Sequence, residues 1–258
     1  MSQATEGEEV HSVSEFVEKF VLMKSKQEWV GEFSDFLFRG QPSSCDLVPR
    51  LLRSFPDDTP KDDVHKFEQK ILGEFRRRAL PYVEFKPDDD WDWLAIAQHH
   101  GLPTRLLDWT YSALGALWFA VTHSMAREGK LLDGTVWIAR AAEEDDFANL
   151  ECSPFKMDGP RIFVPRNIAK RITAQSGLFT VHPLIWDPVE EEDGPLGKLS
   201  YGLACVNIPA SSFGAIRREL QMCGVNHATL FPDLDGLSKS LVFHHGLGGE
   251  SPRTEAKS

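Results

Sequence analysis

Long hydrophobic runs, paired cysteines and an excess of basic charge are all missing from this sequence, and each absence removes a class of function. The longest apolar stretches fall short of the roughly 20 residues that span a bilayer, so no membrane partner is expected. Net charge is −11 at pH 7 with a pI near 5.3. No global positive field therefore draws in nucleic acid or anionic lipid, and only a local basic groove could do so. Cys45, Cys152, Cys205 and Cys223 lie far apart with no CxxC pair, which speaks against a metal cluster and for reduced core thiols. The stretch MSQATEGEEV is acidic and lacks the basic and apolar regions of a secretory signal, so a cytoplasmic setting is expected. P-loop, GxGxxG, GxSxG and HExxH motifs are absent, and the enzyme types they mark go with them.

What is present is an ordinary apolar share of 41% in 258 residues, ample for a core. Apolar residues at helical spacing predict a helix over 12–30 with Ser12 or Ser14 as cap. Two more helices follow. One spans 62–79, opened by Asp62 and Asp63 and closed by Arg76 to Arg78; the other runs from an acidic cap near Asp88 through Gln98 and stops at Gly101 and Pro103. The segment 112–126 is apolar nearly all round, which predicts a helix buried against a sheet. Strands are expected at FLFR, GTVWIAR, RIFVP, GLFTVHP and ACVNIPA. A late helix should end at Gly224. Helices first, strands later: the expectation is a single α+β domain with a mixed or antiparallel split sheet flanked by N-terminal helices. It should cover 12–246, with disordered ends at 1–11 and 247–258 and an acidic loop at Trp186–Lys198.

The polar residues cluster in two places. Arg39 ends the first strand and could clamp a phosphate or carboxylate with parallel hydrogen bonds. Gly40 after it permits a tight turn or a close approach of ligand. The run AQHHGLPTRLLDWT (97–110) then places His99 and His100 at a helix end, Thr104 and Arg105 in a loop, and Asp108, Trp109 and Thr110 before the buried helix. Adjacent histidines on a helix point about 100° apart, a poor arrangement for one metal. Asp108 beside Arg105 is either an ion pair that pins the turn or a charge used in chemistry. Thr110 and Ser112 can cap the next helix. Gln175 precedes a strand and can hydrogen-bond a sugar hydroxyl, but it carries no charge. Asp233 and Asp235 in LFPDLDGL serve as caps.

Phe38-Arg39-Gly40, AQHHGLPTRLLDWT and LFPDLDGL together resemble the FRG domain family over roughly residues 30–240. A weaker resemblance is to ADP-ribosyltransferases of the Arg-Ser-Glu class. Phe38-Arg39-Gly40 is similar to their aromatic-Arg-Gly strand end. Leu107 to Thr110 stand where their Ser-Thr-Ser strand would be, and Ala116 to Ala120 (ALWFA) resemble the helix behind it. Gln175-Ser176-Gly177 is the counterpart of their Glu-x-Glu segment. The resemblance implies NAD as substrate, with Arg39, Asp108 and Gln175 as catalytic candidates. Arg39, Gly40, His99, His100, Thr104, Arg105 and Thr110 are the implied cofactor-binding residues. Gln175 replaces the catalytic Glu and loses a charge worth about several kcal/mol in an oxocarbenium-like transition state. The acceptor would be a protein or a nucleic acid, and the setting bacterial defence or toxicity. Two other readings remain: a non-enzymatic nucleotide- or partner-binding module, and a hydrolase or nuclease built on the His pair and Asp108.

Overall fold

The computed structural model describes residues 8–26, 36–43, 47–56, 58–83, 87–122, 125–127, 130–141, 144–166, 174–184, 203–247 and 253–254. The acidic loop expected at Trp186–Lys198 lies outside them. The fold is α+β, as the sequence predicts. Its helices are α1 (Val13–Lys26), α2 (Arg50–Arg53), α3 (Lys61–Ala79), α4 (Asp90–His99), α5 (Ala113–Thr122), α6 (Phe213–Met222), α7 (His227–Leu230) and α8 (Leu234–His244). The larger sheet uses β1 (Phe36–Gln41), β2 (Leu106–Thr110), β5 (Gly134–Arg140), β6 (Arg161–Phe163), β7 (Gly177–Val181) and β8 (Leu203–Ile208). Between β2 and β5 fall β3 (Met125–Arg127) and β4 (Lys130–Leu131), and Arg253–Thr254 forms β9.

The six strands run in the order β6-β7-β2-β1-β5-β8, antiparallel at every pairing. The sheet is joined unevenly. All of β1, from Phe36 to Gln41, pairs with β5, and all of β2, from Leu106 to Thr110, pairs with β7. Between β1 and β2 the described register is Phe38 opposite Thr110 alone. Two three-stranded halves therefore diverge from a single joint, which is the split expected from sequence.

Each half is backed by its own helices, and period-2 alternation decides which residues meet them. Phe36 and Phe38 share a buried cluster with Val136, Ile138, Leu117 and Trp118. Phe20 of α1 packs edge-on to Phe36 and Phe38 at 5.2 and 5.0 Å. Gly40 and Gly134 let α5 lie directly on the strands. A Cβ at Gly40 would stand 1.8 Å from the Ala116 carbonyl oxygen, and one at Gly134 2.5 Å from that of Ala120. With the sheet on one side and α6 and α7 packed from the other, the all-round apolar character of α5 is explained. The other half, through Leu106, Phe163, Phe179 and Val181, packs against Leu72 of α3 and Trp91, Leu94 and Ala95 of α4. Fully burying side chains of this size contributes about 1.5–3 kcal/mol each.

Some boundaries differ from expectation. The helix expected over 112–126 ends at Thr122, and Met125 begins a short strand that pairs with Lys130–Leu131 and, in parallel, with Arg253–Thr254. That parallel pair lies within the 247–258 tail. The helix beginning near LFPDLDGL extends to His244. Asp233 caps it by accepting from the Gly236 amide at 2.7 Å, while Asp235 sits in its first turn. Of the cysteines expected in the core, Cys152 and Cys223 are exposed and Cys205 is half-buried. Cys152 lies in a turn and Cys223 caps the end of α6, whereas Cys205 sits within β8 opposite Trp137.

Candidate functional site at the fork of the sheet

The site grows from the joint between β1 and β2. Alternation turns Phe38 and Gly40 toward α5 and leaves Arg39 and Gln41 on the opposite face. Past the Phe38–Thr110 pair the strands separate, and the Arg39 side chain spans the gap. Its Nη1 donates to the Asp108 carbonyl at 2.5 Å, and its Nε donates to Gln41 Oε1 at 3.2 Å. The same Nη1 lies 3.7 Å from Asp108 Oδ2, with side-chain exposures of 14% for Arg39 and 61% for Asp108. Burial pulls the Arg39 guanidinium below its usual range; Asp108 pulls it back and Arg53, at the end of α2, lowers it further. The joint thus holds a guanidinium beside an exposed carboxylate, in a protein that is acidic as a whole. A guanidinium held in this way can bind an oxyanion.

The Asp108 carboxylate is held from behind. Helix α4 ends at His99 and is stopped by Gly101, whose φ of 83° suits glycine, with the Gly101 amide bonded to the Gln98 carbonyl and the Leu102 amide to that of Ala97. This paired closure fixes the last turn of α4. It brings Gln98 against β2, where Gln98 Nε2 donates to Asp108 Oδ2 at 2.9 Å. Thr104 Oγ1 donates to Gln98 Oε1 at 2.6 Å and accepts from the Leu106 amide at 3.1 Å. Arg50 Nη1 and the Leu51 amide tie the intervening loop by bonding the carbonyls of Gly101 and Thr104.

The other residues singled out from sequence fall in different places. Thr104 is buried and serves this chain of hydrogen bonds. Gly40 faces the α5 backbone, so the close approach it permits is that of a helix. His99 is half-buried and His100 exposed, their rings edge to face at 5.0 Å. Thr110 is buried, donates to the Gln175 carbonyl at 2.6 Å and accepts from the Ser112 amide at 2.9 Å. Ser112 caps α5 by accepting from the Gly115 amide. Gln175 sits beyond the Thr110 end of β2, and its side-chain amide donates to the Leu230 carbonyl at 3.1 Å.

Arg105 is a correction. Its carboxylate partner is Glu68 of α3, which Nε meets at 3.1 and 3.0 Å and Nη2 also engages. Both side chains are 1% exposed. The guanidinium also stacks over Phe155, 5.0 Å from the ring centroid. The proposed Arg105–Asp108 pair fails because the segment is extended: residues three apart on a strand point to opposite faces. Sequence reasoning also missed Gln98, Arg53 and Glu68. Gln98 had a signal, since it stands in the last helical turn before the Gly101 stop, and so did Glu68, an acid on the apolar stripe between Val64 and Leu72; Arg53 had none. Among the described residues, no group of three or more His, Cys, Asp or Glu side chains is placed to hold a metal ion. Likewise, no described helix is long and apolar enough to cross a membrane.

Compared with known proteins, the chain matches no curated protein and no solved structure. A family model, the FRG domain, matches residues 34–129. That span takes in Arg39, Gln98, Thr104 and Asp108 and stops short of Gln175. The fork of the sheet, with Arg39 and Asp108, lies within the stretch that is similar to the FRG domain.

Proposed function

We propose that the fork binds the diphosphate and ribose of NAD⁺ and that the protein is an ADP-ribosyltransferase-like enzyme. The observation that carries this reading is the Arg39–Asp108 arrangement, a strand-end guanidinium anchored on a backbone carbonyl beside an exposed carboxylate. Arg39, with Arg53 nearby, supplies fixed positive charge for phosphate oxygens. In the reaction, the bond between nicotinamide nitrogen and ribose carbon breaks, and nicotinamide leaves with the electron pair. A nucleophile of the protein or nucleic-acid acceptor then bonds to that carbon and gives up its proton. Positive charge develops on the ribose in between, and Asp108 is the acid at the fork that answers it. Gln175 has no charge to offer, and its amide is committed to the Leu230 carbonyl. A cytoplasmic role in defence or toxicity is the setting this reading implies.

The Gln175 commitment also favours a second reading, a module that binds a nucleotide without turning it over. Purified protein incubated with NAD⁺ separates the two, with released nicotinamide quantified by chromatography and binding measured by calorimetry. The enzyme reading expects release that falls about 100-fold or more in Asp108→Asn, the scale of losing one fixed transition-state charge. Binding without release moves the assignment to the module. Neither binding nor release by the wild type overturns both.

A further inference from the structure

Asp108 presents its two carboxylate oxygens unequally. Oδ2 accepts from Gln98 Nε2 and faces Arg39 Nη1, whereas Oδ1 has no hydrogen-bond partner among the described residues. The inequality has a chemical origin in the chain behind it. The Leu106 amide donates to Thr104 Oγ1 at 3.1 Å, leaving the threonine hydrogen to point at Gln98 Oε1, 2.6 Å away. An amide whose oxygen is claimed in this way must turn its nitrogen to the other side, and a carboxylate can only accept. Strand backbone, threonine, glutamine and aspartate are thus aligned in one direction. Their anchor is the amide of β2 itself, which does not rotate.

We propose that Gln98 is a positioning residue, held by Thr104, that turns Asp108 so that Oδ1 faces the ligand and selects a hydroxyl donor beside the phosphate. The ligand class that suits a bare carboxylate oxygen next to a guanidinium is a ribose carrying a free hydroxyl on its phosphate-linked unit. This inference rests on the nucleotide reading of the fork and adds to it the group being recognised. Gln98 does not touch the ligand; it acts through Asp108. His99 and His100, beside it in sequence, are not needed for the effect.

The test uses the full chain and four proteins: wild type, Gln98→Met, Thr104→Val and Thr104→Ser. Gln98→Met keeps length and helix preference while removing both amide functions. Thr104→Val keeps shape and removes the hydroxyl, and Thr104→Ser returns it. Calorimetric Kd values are measured for NAD⁺ and for analogues lacking the 2′- or 3′-hydroxyl of the nicotinamide ribose. The expected result is a wild-type preference for the intact ribose of about tenfold, the scale of one good hydrogen bond. That preference is reduced to under about twofold in Gln98→Met and Thr104→Val and restored in Thr104→Ser. A purely structural role would weaken all ligands alike and leave the preference intact, and that result overturns the proposal. If the wild type binds no NAD⁺, the nucleotide reading fails by itself, and the crystal structure of Thr104→Val decides the positioning role. A rotated Gln98 amide and a turned Asp108 carboxylate support it, and an unchanged Asp108 rotamer overturns it.

Discussion

Two arginines, each paired with a carboxylate far along the chain, tie opposite faces of the 105–108 segment to different purposes. Arg105 meets Glu68 with both side chains 1% exposed, forked hydrogen bonds and an aromatic face against the guanidinium. Arg39 meets Asp108 through a backbone carbonyl at 2.5 Å, with its carboxylate 3.7 Å away and 61% exposed. The first arrangement consumes the valences of both partners. The second leaves an oxygen and part of a guanidinium to the outside. A charged pair that is closed and dry belongs to the architecture; one that is half-open at a joint of the sheet is where a ligand is proposed to bind. Charge and residue type are the same in both, and burial separates them.

The largest effect should come from breaking the closed pair. Arg105→Ala leaves Glu68 buried and uncompensated, and unfolding free energy should fall by about 3–5 kcal/mol on urea titration. A loss under about 1 kcal/mol would erase the distinction between the two arginines. The double replacement Glu68→Leu with Arg105→Met sharpens the point. Hydrophobic residues of similar volume remove both desolvation penalties, so stability should return to within about 1–2 kcal/mol of wild type. A double variant as unstable as Arg105→Ala would mean that packing around Phe155, and not the unpaired charge, sets the cost.

Next in size is the backing of the fork. Gly40→Ala drives a methyl into the Ala116 carbonyl of α5. Because that obstacle is helix backbone, the helix must move, at a cost of about 1–3 kcal/mol. Calorimetric melting measures it, and an unchanged melting temperature would show that α5 lies less tightly on β1 than 1.8 Å implies.

The smallest effects on stability should be at the open pair itself. Asp108→Asn removes an exposed charge and keeps an acceptor for Gln98, so its cost should stay under about 1 kcal/mol. Arg39→Ala should lie near the same figure, since the Asp108 carbonyl it uncovers stands where water can reach. NAD⁺ binding by the same preparations should weaken strongly in Arg39→Ala. A drop in stability of several kcal/mol in either variant would make the fork a second closed pair.

Much of this organisation was visible along the chain. Period 3.6 marked α3 and α4, period 2 marked the main strands, and Gly101 and Gly224 marked helix ends, both with positive φ. The apolar ring of α5 announced burial on every side. These signals are readable because each is set within a few residues: an amide finds its partner one turn away, and a cap needs only its own neighbours. Arg39 and Asp108 could also be singled out, from a strand end and from a polar run before a buried helix, and the structure brings the two together.

The partners could not. Glu68 lies 37 residues from Arg105, and the Asp108 carbonyl lies 69 from Arg39. Glu68 stands between Val64 and Leu72 at spacings of four, so its address on the apolar stripe of α3 was legible, but which cation it meets there was not. Arg105 and Asp108 look adjacent on the page, and an extended backbone sends them to opposite faces. The order β2-β1-β5, with β2 and β1 meeting at a single pair, is what opens a gap wide enough for Arg39 and Asp108. Local periodicity determined which elements form and which of their faces are apolar. Only the tertiary packing decided which arginine is sealed in with its acid and which is left facing out, because burial is a property of the neighbours that arrive from distant parts of the chain.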